Sequence, residues 1–259
     1  MQSIPVLMYH HVLPEGENIA VAESFFIEQM RFLAKNGWHT LSADEFLAFK
    51  KGALEIPRKC VLLTFDDGWL DNYLYAYPIL QRFGHKATVF LVTEWVEKAS
   101  KCSPVYEIGW KAHKVAVQLA RSKPNECVLH ISQIQEMQDS GLVSFESHTH
   151  RHVSLYKQSV DFRGDLEESQ DFFVSRLGKP SRHLCYPFGH YKLEDGLIAR
   201  RCGFEICYTV KNGANLADGN LAEIKRFSVK NKRLSWFAYK LFIFNRSYLA
   251  TVVEKFRKQ

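Results

Sequence analysis

Two adjacent carboxylates, Asp66 and Asp67, close the run 60–65, which is the clearest strand pattern in the chain. Like charges this close together raise each other's pKa, so the pair is costly unless a positive group binds beside it. A divalent cation would resolve the conflict by taking one carboxylate as a ligand and leaving the other as a base. The alternative is that the Asp-Asp-Gly sequence ending at Gly68 is an ordinary turn before a helix, and these three residues alone do not decide.

Two histidines four residues apart, His148 and His152, follow another predicted strand, Leu142–Ser147. This spacing puts two imidazoles on one side of a helical turn. Together with Asp67 they would supply one oxygen and two nitrogens and leave a position for water, as catalytic zinc sites require. The set suits Zn²⁺, Co²⁺ or Ni²⁺ and does not select among them. His150 lies between the two histidines and is expected to point elsewhere, as a surface or supporting residue.

The elements that must position these residues are short strands alternating with helices. The predicted strands are Val6–His10, Cys60–Phe65, Ala87–Val92, Leu142–Ser147, His183–Tyr186, Glu205–Val210 and Ile224–Val229. The predicted helices are Ser24–Asn36, Ala43–Lys50, Asp71–Phe83, Trp110–Ala120, Ser132–Asp139, Phe162–Leu177 and Leu193–Arg201. Strands separated by helices pair in parallel through right-handed crossovers, and ligands bind where such strands end. The pattern predicts a single α/β domain built as a distorted or incomplete (β/α) barrel.

The charge of the chain is unevenly distributed. The 259 residues carry a formal net charge of +6, and the segment 232–259 alone holds seven basic residues and one acid. The rest of the chain is balanced, which argues against nucleic acid as a partner because such proteins show a basic patch on the folded domain. We therefore predict a domain over 1–231, with an insertion at about 97–130, followed by a basic, aromatic C-terminal helix over 232–259.

Composition also bears on location. None of the six cysteines forms a Cys-x-x-Cys pair, which argues against a zinc knuckle and fits a reduced protein. No apolar run reaches the roughly 18 residues that span a bilayer, and the first residues do not resemble a secretory signal. These features predict a cytoplasmic location.

The two motifs together resemble those of a known family. Thr64-Phe65-Asp66-Asp67-Gly68, followed by Ser147-His148-Thr149 and His152, is similar to the polysaccharide deacetylases, the NodB-homology domain of carbohydrate esterase family 4. The resemblance implies a NodB-type barrel with Asp66 as general base. It also implies that Asp67, His148 and His152 bind the metal, most simply Zn²⁺.

A third motif supports the resemblance and also departs from it. Pro187-Phe188-Gly189 is similar to the family's strand-end segment, which implies that the backbone N–H of Phe188 helps to hold the oxyanion. Many relatives carry an arginine two residues before that proline, where it braces the base, but this chain has Cys185. Arg182 or Arg226 could take that role, and we favour Arg226.

The catalytic acid is the fourth element of the resemblance. In the usual family order this histidine lies near the C-terminus, yet after Pro187 the chain has only His190. Tyr9-His10-His11 instead resembles the circularly permuted subgroup typified by poly-N-acetylglucosamine deacetylases. Because side chains alternate along a strand, His10 and His11 cannot both face the site, and the resemblance implies His10.

The implied activity is metal-dependent removal of the N-acetyl group from an N-acetylhexosamine unit of a glycan or a glycan precursor, lipid-linked sugars included. Two alternatives remain open. One is hydrolysis of a non-sugar, cyclic amide on the same fold, because the first two motifs describe only the metal and the base. The other is a glycan-binding pseudoenzyme, although no predicted ligand or base is missing.

The C-terminal segment carries an apolar stripe of its own. Its members recur at steps of three and four residues: Leu234, Phe237, Leu241, Phe244, Tyr248 and Val252. A terminal helix that covers the barrel would have this stripe. Most of the basic residues lie off the stripe, and aromatic residues widen it, as in an interfacial membrane anchor. The second interpretation predicts peripheral contact with the inner membrane surface through 232–259.

Overall fold

The computed structural model describes residues 2–17, 19–110, 112–156 and 161–256, with the backbone alone for the last five. The strands are β1 Val6–Tyr9, β2 His11–Leu13, β3 Ala20–Ala22, β4 His39–Thr40, β5 Cys60–Phe65, β6 Ala87–Leu91, β7 Val143–Ser147, β8 His183–Cys185, β9 Ile206–Tyr208 and β10 Phe227–Ser228. The helices are α1 Glu23–Lys35, α2 Ala43–Lys50, α3 Tyr77–Phe83, α4 Thr93–Ala99, α5 His113–Ser122, α6 Ile131–Asp139, α7 Phe162–Leu177, α8 Leu193–Arg201, α9 Leu234–Phe244 and α10 Ser247–Phe256.

The main sheet is parallel and curled. Its strand order is β10-β1-β5-β6-β7-β8-β9, and β4 pairs with β5 at one end. The segment 224–228 reaches both edges of the sheet, because Ile224 pairs with Tyr208 of β9 whereas β10 pairs with β1. A broken strand thus joins the two edges, and the predicted distorted (β/α) barrel is confirmed.

The centre of the sheet explains where the carboxylates lie. All six residues of β5 and all five of β6 are buried, as expected for parallel strands covered on both faces. A pair of adjacent carboxylates inside such a strand would be cut off from water, whereas the end of the strand lies where the sheet opens. Asp66 and Asp67 occupy that position after β5.

The helix predicted over 71–83 begins differently. Residues Asn72–Ala76 form one turn of the wider π type, and the regular helix α3 starts at Tyr77. Pro78 follows and has no N–H to donate into the preceding turn, which accounts for the change. The turn places the Asn72 side-chain amide against the carbonyl oxygen of His10 at 2.9 Å.

The predicted insertion packs against the loop that follows β5. Backbone hydrogen bonds run from Leu70 N–H to the Cys127 oxygen at 2.8 Å, and from Leu129 N–H to the Gly68 oxygen at 3.0 Å. The helix predicted at Trp110–Ala120 lies at 113–122 as α5. The insertion therefore holds the loop that carries the carboxylates.

The C-terminal segment differs from the single helix that we predicted. It forms α9 and α10, with the break at Asn245, whose carbonyl oxygen accepts a hydrogen bond from Ser3 N–H. The carbonyl oxygen at the break is thus bonded to a residue distant in sequence rather than within a helix. Phe237 and Phe244 of the stripe are buried, but Tyr248 is 76% exposed, and Val252 lies outside the described side chains.

α9 covers the barrel. Phe237 meets Phe32 of α1 edge-on at 6.1 Å between ring centroids, and Phe244 stacks on Phe227 of β10 at 5.1 Å. Among the described residues, every helix is too short or too polar to cross a membrane.

Candidate active site

Four strand ends converge at one edge of the barrel. His10 follows β1, the two carboxylates follow β5, His148 follows β7, and the Pro187–Gly189 turn follows β8. Because β1, β5, β6, β7 and β8 are neighbours in one parallel sheet, their carboxyl ends open on the same side. Residues far apart in sequence therefore meet here.

The predicted ligands lie together. Oδ1 of Asp67 is 3.4 Å from Nε2 of His148 and 3.2 Å from Nε2 of His152. The three ligand atoms lie within 4.8 Å of one another, and all three side chains are nearly buried. This is a possible Asp/His metal site.

The hydrogen bonds of Asp67 and His148 leave one side of each group available to a cation. Oδ1 of Asp67 is buried with no hydrogen-bond donor among the described residues, although a buried carboxylate oxygen normally has one. Its other oxygen, Oδ2, accepts from the Trp69 indole at 2.9 Å. Nδ1 of His148 contacts the Cys185 carbonyl oxygen at 2.7 Å, which directs Nε2 toward Asp67, as the partners of metal-binding histidines usually do. The residues present thus fit a divalent cation bound on the Nε2 and Oδ1 side.

Asp66 is held by an arginine from another strand segment. Nη1 and Nη2 of Arg226 lie 2.6 and 2.8 Å from the two carboxylate oxygens of Asp66, and both side chains are buried. Burial alone would raise the pKa of Asp66, but the charge and hydrogen bonds of Arg226 outweigh it, and the net pKa is lowered. Asp66 is therefore a carboxylate at neutral pH.

The other candidate arginine lies elsewhere. Arg182 pairs with Glu205 and Asp44 on the surface. The thiol of Cys185 fills the space beside the guanidinium, with Sγ 3.0 Å from Nη2 of Arg226. A second triad, Asp66 with His148 and Cys185, is close enough to hold a metal, but the arginine already occupies that carboxylate.

His10 and His11 have different surroundings. Burial lowers the pKa of His10, while the charges of Asp66 and Asp67 act in the opposite direction. His11 is fully buried, bonded to Asp71 at 2.7 Å and stacked on Trp69. Both rings approach the ring of His113, at 5.9 Å for His10 and 5.2 Å for His11, so the two side chains do not lie on opposite faces as strand alternation predicted. The reason is that β1 ends at Tyr9 and β2 begins at His11, so the two histidines do not belong to one strand.

Phe188 has an unusual backbone. Its φ of 60° lies in the left-handed region, and its ring is half exposed and packs 4.7 Å from the ring of His152. Its N–H forms no hydrogen bond with a described residue. The ring contact places Phe188 next to one of the predicted metal ligands, and the role of its N–H stays a prediction.

The two remaining histidines of the motifs are engaged elsewhere. His150 contacts Thr93 at 2.9 Å and Glu168 at 3.1 Å, so it supports the loop from outside. His190 bonds to Ser154 and stacks on Tyr156, with 4.2 Å between ring centroids.

Strained backbone is concentrated at this site. The non-glycine residues with positive φ in the described part of the chain are Asp67, Thr149, His152 and Phe188. Such conformations persist only where surrounding contacts impose them, and they are typical of functional sites.

Sequence reasoning missed the contributions of the insertion. Trp110 and His113 reach the loop after β5, where both rings lie 5.9 Å from the ring of Trp69. Neither residue belongs to a spaced motif, so only the fold brings them to the site. The sequence did not predict a role for the indole of Trp69 either. Its position two residues after Asp67 is the signal that could have indicated a contact with that carboxylate.

Comparison with known proteins agrees with this architecture. The family model described as polysaccharide deacetylase matches residues 54–207. The Bacillus subtilis protein YxkH, which is named for this same family, is 30% identical over 87% of this chain and 71% of its own. A poly-β-1,6-N-acetyl-D-glucosamine N-deacetylase of Staphylococcus epidermidis is 27% identical over 84% of this chain and 70% of its own.

Solved structures share the fold. The deacetylase PplD of Streptococcus pyogenes, solved with acetate, matches with a TM-score of 0.75 at 25% identity, covering 94% of this chain and 98% of its own. IcaB of Ammonifex degensii matches in fold with a TM-score of 0.73 at 24% identity, covering 93% and 96%. The resemblance inferred from the motifs is confirmed, and the chain belongs to the polysaccharide deacetylase family.

Proposed function

We propose that this protein removes the N-acetyl group from an N-acetylhexosamine unit of a glycan or glycan precursor, in a metal-dependent hydrolysis. Acetate and a free amino sugar are the products. The observation that carries the proposal is the unpaired, buried Oδ1 of Asp67 between two histidine nitrogens. A carboxylate kept ionised by Arg226 lies directly beside it in sequence.

The metal would be held by Asp67, His148 and His152, which offer one oxygen and two nitrogens. When bound, a divalent ion such as Zn²⁺, Co²⁺ or Ni²⁺ polarises an amide carbonyl and makes water a stronger nucleophile at neutral pH. The ligand set does not distinguish these ions, because it contains no thiolate.

The chain's own groups carry the proton transfers. Asp66, ionised beside Arg226, accepts the proton of the attacking water. The N–H of Phe188 donates to the oxygen that becomes negative as the carbonyl carbon turns tetrahedral. His10, in its protonated form, donates a proton to the departing amine, which is a poor leaving group unless it is protonated.

Acetate release tests the proposal. The full chain, loaded in turn with Zn²⁺, Co²⁺ and Ni²⁺, is assayed on polymeric, lipid-linked and nucleotide-linked N-acetylhexosamines, with cyclic imides and ureides as the comparison. Release from at least one sugar, lost on chelation and restored by metal, is expected. Activity on the cyclic amides alone would assign the other hydrolase reaction, and glycan binding with no turnover in any metal form would assign the pseudoenzyme.

The exposed side of the C-terminal helices supports a second proposal, peripheral contact with the anionic inner membrane surface. Tyr239, Phe242 and Tyr248 are each more than half exposed, although α9 buries its other side in the barrel. The guanidinium of Arg246 lies 3.8 Å from the ring centroid of Phe242. Aromatic rings with cations beside them suit the headgroup region of a membrane. In that setting a cytoplasmic enzyme would lie near lipid-linked sugars.

A further inference from the structure

His113 lies at the proposed active site and has no role in the chemistry described above. It is the first residue of α5, within the insertion, and its side chain is partly buried. Its ring approaches the ring of His10 edge-on, with 5.9 Å between centroids. It also lies 5.9 Å from the ring of Trp69, whose indole donates to the proposed metal ligand Asp67.

A buried chain of hydrogen bonds holds this ring. Oδ2 of Asp71 contacts Nδ1 of His11 at 2.7 Å, and Nε2 of His11 contacts Nδ1 of His113 at 2.9 Å. Oδ1 of Asp71 accepts from the N–H of Val12 at 2.9 Å and from the amide of Asn72 at 3.0 Å. Asp71 and His11 have no exposed surface. We call Asp71, His11 and His113 the relay.

The donors and acceptors of the relay have one consistent arrangement when both imidazoles are neutral. A carboxylate only accepts, so Nδ1 of His11 carries its proton and Nε2 of His11 accepts. Nδ1 of His113 must then donate. Burial lowers the pKa of His113 to about 4, so this ring is neutral at pH 7, and in the arrangement with His11 also neutral its Nε2 is an acceptor. Nε2 points roughly away from His11 and forms no hydrogen bond with a described residue.

We propose that His113, oriented by Asp71 through His11, accepts a hydrogen bond at Nε2 from a hydroxyl of the substrate sugar. The inference rests on the proposed function and adds a substrate contact that the insertion provides. Asp71 and His11 act through His113 and are positioning residues. A site built to accept a hydroxyl discriminates strongly against analogues that lack it, because its own polar group is then left unpaired.

Nitrogen-15 NMR of histidine-labelled protein tests the relay itself, with the His113 signals assigned through His113→Gln. The expected spectrum shows a protonated Nδ1 and an unprotonated Nε2. Asp71→Asn should move the proton of His113 from Nδ1 to Nε2. The N–H of Val12 keeps the new amide oxygen at the Oδ1 position, so the NH₂ group donates to Nδ1 of His11. Nε2 of His11 then donates to Nδ1 of His113. A proton on Nε2 of His113 in the wild type, or no change in Asp71→Asn, would overturn the assignment.

Kinetics on N-acetylglucosamine disaccharides and their monodeoxyfluoro analogues test the contact. His113→Ala should raise KM about tenfold with kcat within about threefold of wild type, the effect of one lost hydrogen bond. His113→Gln should recover part of the loss through its side-chain oxygen. For the wild type, one fluoro analogue should have a kcat/KM about tenfold lower than that of the parent disaccharide. For His113→Ala, the kcat/KM of the same analogue should equal that of the parent. His130→Ala, a histidine of the same insertion bonded only locally to Ser132, is the matched control and should change neither value.

The outcomes separate the contact from the function. If the wild type releases acetate while His113→Ala keeps the same KM and the same order of analogues, the contact is wrong and the proposed function stands. If the wild type releases acetate from none of the sugars, the proposed function fails and the contact fails with it.

Discussion

The sulfur of Cys185 lies 3.0 Å from Nη2 of Arg226. The family resemblance led us to expect an arginine at position 185, beside the proposed base. The guanidinium of Arg226 instead reaches Asp66 from another part of the chain, and the thiol of Cys185 packs against it. This pair gives Asp66 a charged partner without an arginine at position 185.

The first prediction follows from that pairing. Arg226→Met should lower the free energy of unfolding by about 3–5 kcal/mol, since a buried carboxylate loses its charged partner. Only the charges of His148 and His10 then oppose the effect of burial on Asp66, so its pKa should rise and the acidic limb of the kcat/KM profile should move to higher pH. Denaturant unfolding and pH-dependent kinetics measure the two effects. Arg182→Met, at a surface ion pair, should cost about 0–1 kcal/mol and leave the profile unchanged. An unmoved acidic limb in Arg226→Met would refute the brace.

The second prediction separates metal binding from base catalysis. Asp67→Ala and His148→Ala should lose both bound metal and activity, because each removes one of three proposed ligands. Asp66→Asn should keep the metal and lose turnover on the order of 10²- to 10⁴-fold. Elemental analysis of the purified variants, beside acetate release, gives both values. Near-wild-type turnover in Asp66→Asn would disprove the base assignment.

The third prediction concerns the two adjacent histidines. His10→Ala should lose about 10²- to 10⁴-fold in rate while keeping metal and stability, as expected for a lost proton donor. His11→Ala should be milder in rate but should destabilise the fold by about 1–3 kcal/mol, because the buried Asp71 loses a partner. Thermal unfolding and kinetics of both variants test the contrast. The reverse order of rate effects would assign the acid to His11, and two silent variants would shift the acid to His190.

The fourth prediction is a pH dependence of stability. His113 has an ordinary pKa of 6.5 that burial lowers to about 4, and His10, His11, Asp67 and His152 are the titratable groups around it. Between pH 6.5 and 4 the unfolded chain therefore binds a proton that the folded chain does not, so stability falls as the pH falls through this window. His113→Gln should show a flatter dependence there, as measured by urea unfolding at several pH values. Equal slopes for both proteins would contradict the lowered pKa.

The fifth prediction tests the membrane contact without removing α9, whose buried residues complete the core. The double variant Phe242→Ser, Tyr248→Ser should co-sediment with anionic vesicles about tenfold less, or weaker still, than the wild type. High salt should weaken the binding of the wild type to these vesicles. Val174→Ser, at an apolar position of α7 that is 53% exposed, is the control and should bind like the wild type. Unchanged binding in the double variant would leave α9 and α10 as a cover for the barrel only.

Local signals explain why several elements could be predicted from sequence. α7 lies at 162–177 as predicted, because Asp161 caps its first turn by accepting from Gly164 N–H and Gly178 ends it at a φ of 75°. α2 also matches, with a capping box between Ser42 and Glu45. These helices are set by residues within a few positions of their ends.

The remaining features depend on contacts distant in sequence. The carbonyl oxygen of Asn245, at the break between α9 and α10, bonds to Ser3. Arg226 rather than Arg182 reaches Asp66 because the segment 224–228 joins the two edges of the sheet. His113 reaches the site only because the insertion pairs with the loop after β5. The spacing of residues along the sequence does not predict these contacts.

The positive φ angles at Asp67, Thr149, His152 and Phe188 set protein stability against function. Each such residue costs on the order of 1–3 kcal/mol, and glycine at the same position would relieve that cost. Glycine at position 67 or 152 would also remove a proposed ligand, and glycine at 188 would remove the ring that packs on His152. Selection of variants for heat resistance alone would therefore favour replacing these residues, and would enrich well-folded chains that have lost their chemistry.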